Sequence, residues 1–143
     1  MSKTLYIIRG LPGSGKSTLG EKLADTYMDY NPVSGGLKYY TFAADDWFTD
    51  QTTGEYEFNP VELPEAHDEC QESVSKAMII GTENICVCNT FSQSWEVEPY
   101  VKLCKTWGYT PVIIECQSKF NNVHGCPPEK IEVMRNRWEP IEL

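Results

Sequence analysis

The sequence predicts an α/β domain with a mostly parallel sheet and helices on both of its faces. Three observations lead there. Four short apolar runs alternate with segments of helical period, a glycine-rich loop follows the first run, and the connections between elements are short. With 143 residues the chain is read as one domain, residues 1–143, able to bury roughly two thirds of its unfolded surface.

Leu5-Tyr6-Ile7-Ile8 is the first strand. A helix follows from Lys16 to about Tyr27, because Leu19, Leu23 and Tyr27 recur on one face, and Asn31 to Gly36 ends it in a turn. Tyr39 to Ala43 reads as a second strand closed by Asp45 and Asp46. The polar stretch from Trp47 to Phe58, with Thr52-Thr53-Gly54 at its tip, reads as a loop or small hairpin. Asn59, Pro60 and Glu62, with Pro64 as an alternative first-turn position, open a long helix. Leu63, Ala66, Cys70, Val74, Ala77 and Met78 face inward on it, and Gly81 closes it. Ile85 to Cys88 is apolar all round, as a strand covered on both faces should be, and ends at Asn89 and Thr90. The next helix begins between Ser94 and Pro99, buries Val97, Tyr100, Val101 and Cys104, and stops at Gly108. Pro111 to Cys116 supplies a fourth buried strand. After the polar segment Gln117 to Cys126, Pro127 and Pro128 open a last helix with Ile131, Met134 and Trp138 on one face.

The segment Gly10-Leu11-Pro12-Gly13-Ser14-Gly15-Lys16-Ser17 is the phosphate-binding pattern G-x-x-x-x-G-K-S in strand-to-helix context, which identifies a nucleoside triphosphate site. Glycines let the backbone wrap a phosphate so that N–H groups converge on it, and the helix N-terminus adds its dipole. Lys16 suits the β- and γ-phosphates, the Ser17 hydroxyl a magnesium ion, and Thr18 the α-phosphate. Ligands in parallel sheets gather at the carboxyl ends of the strands. Gly10 to Ser17, Asp45 with Asp46, Asn89 with Thr90, and Gln117 to His124 are thereby brought to one crevice. Phosphoryl transfer needs a carboxylate that takes the proton of the attacking hydroxyl. One of Asp45 and Asp46 is assigned that role; the plain alternative is a cap on a short helix beginning at Trp47, and both can hold at once, one aspartate capping and the other facing substrate.

Composition narrows the setting. The net charge of −9 argues against extended non-specific duplex binding. Cys70, Cys86, Cys88, Cys104, Cys116 and Cys126 form no C-x-x-C pair and read as reduced thiols, so no disulfides are expected and the expected setting is cytoplasmic. A zinc site would have only His67 and His124 to help. No stretch is long and apolar enough for a membrane span, and the N-terminus lacks the apolar core of a signal peptide.

Several segments together carry a resemblance that covers nearly the whole chain. They are the phosphate loop, Asp45-Asp46-Trp47-Phe48, Tyr56 to Pro60 leading to Ala66-His67, Asn89-Thr90, and Asn122 to Pro127 through Ile131 and Met134. The chain resembles the polynucleotide-kinase-like branch of P-loop kinases, which is similar to the kinase domain of bacteriophage polynucleotide kinase. The resemblance implies a three-layer P-loop kinase fold with a four- or five-stranded mostly parallel sheet and a short lid around residues 117–127. It implies ATP and Mg2+ as cofactors and transfer of the γ-phosphate to a hydroxyl, often a nucleic-acid 5′-hydroxyl. Asp45 matches the family's general base, while Lys16, Ser17 and Thr18 match its nucleotide and magnesium residues; with no carboxylate at the end of the third strand, magnesium would depend on Ser17, the phosphates, water and Asp45 or Asp46.

Departures accompany the match. Cys88 to Phe91 offer no carboxylate at the end of the third strand, the lid is shortened, and Asn121 stands where relatives carry an arginine. Lys119, Arg135 and Arg137 are the nearby cations, each with the plain alternative of a solvated surface charge; Asp46, Asn89, Thr90 and His124 complete the lid or substrate candidates. Arg9 reads as a strand-end packing or salt-bridge residue. Trp47, Tyr56, Phe58, Phe91 and Trp95 offer faces on which a base could stack, although aromatics near a core more often pack. Three functions remain open: a kinase acting on a nucleic-acid end or a hydroxyl of a modified nucleotide, a small-molecule or nucleoside kinase, and a non-catalytic ATP- or GTP-binding module.

Overall fold

The computed structural model describes residues 3–11, 39–50, 52–116 and 127–141. Strands β1 (Thr4–Arg9), β2 (Tyr39–Phe42), β3 (Asn84–Asn89) and β4 (Thr110–Glu115) form one sheet in the order β2-β3-β1-β4. All pairings are parallel. The described helices are α1 (Leu63–Ile79), α2 (Ser94–Trp107) and α3 (Pro128–Asn136). The fold is the α/β arrangement expected from the alternation of elements. The first helix, expected over 16–27, lies outside the described residues, as do residues 117–126 of the short lid expected around 117–127.

The central strands are apolar on both faces because both faces are covered. Leu5, Ile7, Ile85 and Val87 point to one side, where Cys70, Val74, Ala77 and Met78 of α1 and Val97, Tyr100 and Cys104 of α2 complete the core. Ile8, Cys86 and Cys88 form a second buried cluster with Tyr6 and Ile114. β4 departs from the expectation of four buried strands: it lies at the sheet edge and is half-exposed along its length. Pro111 accounts for the placement, since a residue without an N–H is tolerated on an edge strand and not between two neighbours.

Helix ends follow the sequence signals. The Asn59 side chain accepts from the Val61 N–H at the start of a 3₁₀ turn, Pro60–Glu62, that leads into α1. Gly81 and Gly108 follow α1 and α2 with φ of 85° and 75°, a backbone region open to glycine at little cost. α2 starts at Ser94, so Pro99 lies inside it. α3 ends at Asn136, one turn short of the expected apolar face: Trp138 falls beyond the helix, and no residue of α3 is fully buried. The excursion after β2 is a small hairpin, with an antiparallel bridge between Thr49 and Tyr56 and a hydrogen bond from the Asp50 N–H to the Glu55 carbonyl.

Candidate functional site

The parallel register places Arg9 level with Asn89 and Glu115, so β1, β3 and β4 end in line. Just beyond, the Gly10 N–H donates to the Thr90 carbonyl at 3.3 Å and the Cys116 N–H to the Arg9 carbonyl at 2.8 Å. Gly10 therefore leaves β1 at the carboxyl edge, held against the β3 end. Pro12, Gly13, Ser14, Gly15, Lys16, Ser17 and Thr18 lie outside the described residues, and so do Lys119, Asn121 and His124.

Asp45 and Asp46 sit in a 3₁₀ turn, Ala44–Phe48, directly after β2. The turn is anchored from below, because Ala44 and Phe48 are buried against Ala66 of α1. The two carboxylates do different work. Asp46 Oδ2 accepts the Ala43 N–H at 3.0 Å, satisfying a donor at the start of the turn as a reaching-back side chain does in a capping box. Asp45 Oδ1 instead accepts the Tyr56 hydroxyl at 3.0 Å, and its carbonyl accepts the Thr49 hydroxyl at 3.0 Å. Crowding away from water pushes the Asp46 carboxyl above the usual carboxylate range; the Asp45 charge adds to this, and the Ala43 N–H opposes it.

Asn89 ties this turn to the sheet. It is buried, its Oδ1 accepts the Ala44 N–H at 2.8 Å, and its Nδ2 points to Cys70 Sγ at 3.7 Å. Both ends of its amide are thus engaged inside the protein. Burial raises the Cys70 thiol and the neighbouring Tyr100 hydroxyl above their ordinary pKa values.

Arg9, one residue before the loop, is 1% exposed. Its guanidinium donates to the Phe91 carbonyl from Nε and Nη2, at 3.0 and 2.7 Å, and from Nη2 to the Glu139 carbonyl at 2.8 Å. Nη1 pairs with Glu115 Oε1 at 3.2 Å, and the Trp138 ring covers the guanidinium at 3.9 Å from its centroid. Trp138 Nε1 also donates to Glu115 Oε1, at 3.1 Å. Burial lowers the Arg9 pKa, while Glu115, Glu96 and Glu139 oppose the shift; an arginine in this setting stays charged. The cation therefore serves as a buried clamp that joins the end of β1, the segment after β3 and the chain beyond α3.

Two of the other candidate cations lie among the described residues. Arg135 pairs with Glu132 on the exposed side of α3, and Arg137 Nε donates to Ser92 Oγ at 3.0 Å. Among the aromatic candidates, Phe91 is core, meeting Tyr100 edge-on at 5.6 Å. Trp47, Phe58 and Trp95 remain exposed, and Lys130 stands 5.9 Å from the Phe58 ring centroid. The Tyr56 contact with Asp45 was missed by sequence reasoning, which took Tyr56 as a stacking candidate. Its signal is weak: a turn-forming Gly54 between two strand-like residues, Thr49 and Tyr56, folds the chain back over Asp45.

A family model described as an AAA domain, AAA_33, matches residues 5–120. The chain belongs to this family. Human NEDD4-binding protein 2 is 35% identical over 144 residues, a stretch covering 94% of this chain but 8% of that much longer protein. Chaetomium thermophilum Kti12, solved in complex with ADP-AlF3, superposes with a TM-score of 0.64 at 12% identity, covering 95% of this chain and 80% of Kti12. A chain of the Pnkp1/Rnl/Hen1 RNA repair complex superposes with a TM-score of 0.57 at 18% identity, covering 95% of this chain and 37% of its own length. The AAA_33 chain thus has a P-loop kinase-like α/β fold. None of the five described cysteines is in a disulfide; Cys86 and Cys88, the pair in contact, stand with sulfurs 3.6 Å apart. No helix among the described residues is long and apolar enough to cross a membrane.

Proposed function

We propose that this chain is an ATP-dependent kinase that phosphorylates a hydroxyl, with a nucleic-acid 5′-hydroxyl or a hydroxyl of a modified nucleotide as acceptor. The observation that carries the reading is Asp45, which stands at the carboxyl end of β2 on the same sheet edge where Gly10 opens the G-x-x-x-x-G-K-S pattern. Its side chain is held by a neutral hydroxyl, while Asp46 does the capping. That division is what a general base beside a phosphate loop requires.

In this reading the backbone of Gly10 to Gly15 and the Lys16 ammonium bind the triphosphate of ATP, with Thr18 at the α-phosphate. Asp45 orients the acceptor hydroxyl and takes its proton. The acceptor oxygen forms its bond to the γ-phosphorus as the bond to the β,γ-bridging oxygen breaks, and ADP leaves with that electron pair. A magnesium ion would neutralise charge on the phosphate oxygens. Ser17 and Asp45 would hold it. The donor chemistry fits: a hydroxyl and a carboxylate are hard oxygen ligands of the kind magnesium takes alongside phosphates and water. The fold likeness to a chain of an RNA repair complex supports a nucleic-acid acceptor.

The test is transfer of label from γ-labelled ATP, with magnesium, to single-stranded DNA, RNA, modified duplexes and nucleosides. Label on an oligonucleotide end supports the reading. Label on nucleosides or small hydroxyl compounds alone turns it to a small-molecule kinase. Tight ATP binding without transfer to any acceptor supports a non-catalytic module, a reading favoured by the absence of a carboxylate from Cys88 to Phe91 and by the internal engagement of Asn89.

A further inference from the structure

We infer that Tyr56 is a positioning residue for the transfer step, fixing the Asp45 carboxylate toward the acceptor; the inference rests on the kinase reading above. The Tyr56 hydroxyl donates to Asp45 Oδ1 at 3.0 Å across an otherwise polar hairpin. The backbone leaves the tyrosine little choice of place. Tyr56 is bridged to Thr49, the Glu57 N–H donates to the Phe48 carbonyl at 2.9 Å, and the Tyr56 ring meets Phe48 edge-on at 6.3 Å. Phe48 is itself buried against α1, so the hairpin rests on the core. The Thr49 hydroxyl binds the Asp45 carbonyl from the same hairpin. Hairpin and aspartate therefore form one unit, held through backbone and side chain alike.

This arrangement answers a specific need. The terminal torsion of an aspartate is broad, so an untethered carboxylate samples many orientations, whereas a proton acceptor must lie within hydrogen-bond reach of the hydroxyl it activates. The Tyr56 phenol restrains it at Oδ1.

The experiment compares wild type, Tyr56→Phe, Asp45→Asn and the double variant in labelled-ATP transfer, with melting temperature measured on each. Tyr56→Phe keeps the ring against Phe48 and the backbone bridge and removes only the hydroxyl. Its kcat is expected to fall about tenfold, with the KM for ATP changed less than about twofold, since misplacement of a reacting group acts in the transition state. In the Asp45→Asn background, Tyr56→Phe is expected to cause no further loss. Wild-type kcat in Tyr56→Phe overturns the inference, as does the same additional loss in both backgrounds, which would mark a general structural role. Transfer that persists undiminished in Asp45→Asn overturns the base assignment and this inference with it. Absence of transfer from wild type to every acceptor overturns the kinase reading itself.

Discussion

Replacing Arg9 by methionine should cost about 4 kcal/mol of stability. The guanidinium is buried, and methionine fills much of its stem volume, so the loss comes from polar groups rather than from a cavity. Removing one member of a buried ion pair costs about 3–5 kcal/mol, because the partners left behind are uncompensated. Here those partners are the carbonyls of Phe91 and Glu139 and the Glu115 carboxylate. The carboxylate side chain is 33% exposed and is rescued in part by water, which holds the figure to the middle of the range. At about 2.1 cal/mol/K per residue, the unfolding entropy of 143 residues is about 0.3 kcal/mol/K, so the melting temperature should fall by about 13 °C. Urea unfolding followed by circular dichroism measures the same loss at constant temperature. Arg9→Lys keeps the charge but cannot reach both carbonyls and the carboxylate at once, and it should recover less than half of the deficit. A methionine variant within about 1 kcal/mol of wild type, or a lysine variant equal to it, would refute the clamp.

Three further outcomes test the site. Lys16→Ala should weaken binding of ATP with magnesium by at least about tenfold while the melting temperature stays within about 2 °C, since an ammonium on phosphates serves the ligand and not the core; calorimetry and thermal melts check both. Asp45→Asn should lower transfer about a hundredfold or more with little change in melting temperature, as it keeps hydrogen-bonding capacity and removes the proton acceptor. Asp46→Asn should leave neutral-pH stability equal or raised, whereas Asp46→Ala, which loses the Ala43 N–H partner, should lower it by about 0.5–1 kcal/mol. The sign follows from the raised Asp46 carboxyl: the folded chain binds that proton more readily than the unfolded one. Its contribution is therefore complete below the ordinary value of 3.8 and is lost as pH rises through the folded value. Stability–pH curves of wild type and Asp46→Asn should diverge above pH 3.8, and parallel curves would refute the shift.

Periodicity and punctuation alone determined the order and kind of the described elements. Val74, Val97 and Cys104 face inward where an i, i+4 pattern put them, and Gly81 and Gly108 end helices because few other residues accept a positive φ. The phosphate pattern was equally legible, since its chemistry lies in contiguous residues with fixed spacing. Trp138 marks where this reading failed: local periodicity extended the last helix, but the ring is drawn out of it to cover a guanidinium 129 positions earlier in the chain. The resemblance singled out Asp45, but only the tertiary structure shows how differently Asp45 and Asp46 are held. Their neighbourhoods in sequence are nearly the same, and the difference comes from a hairpin that returns Tyr56 to one and a backbone N–H that occupies the other. The structure likewise turned Asn89 inward and made Arg9 a clamp, because their partners are 19 to 130 positions away and a buried polar group is defined by what closes around it.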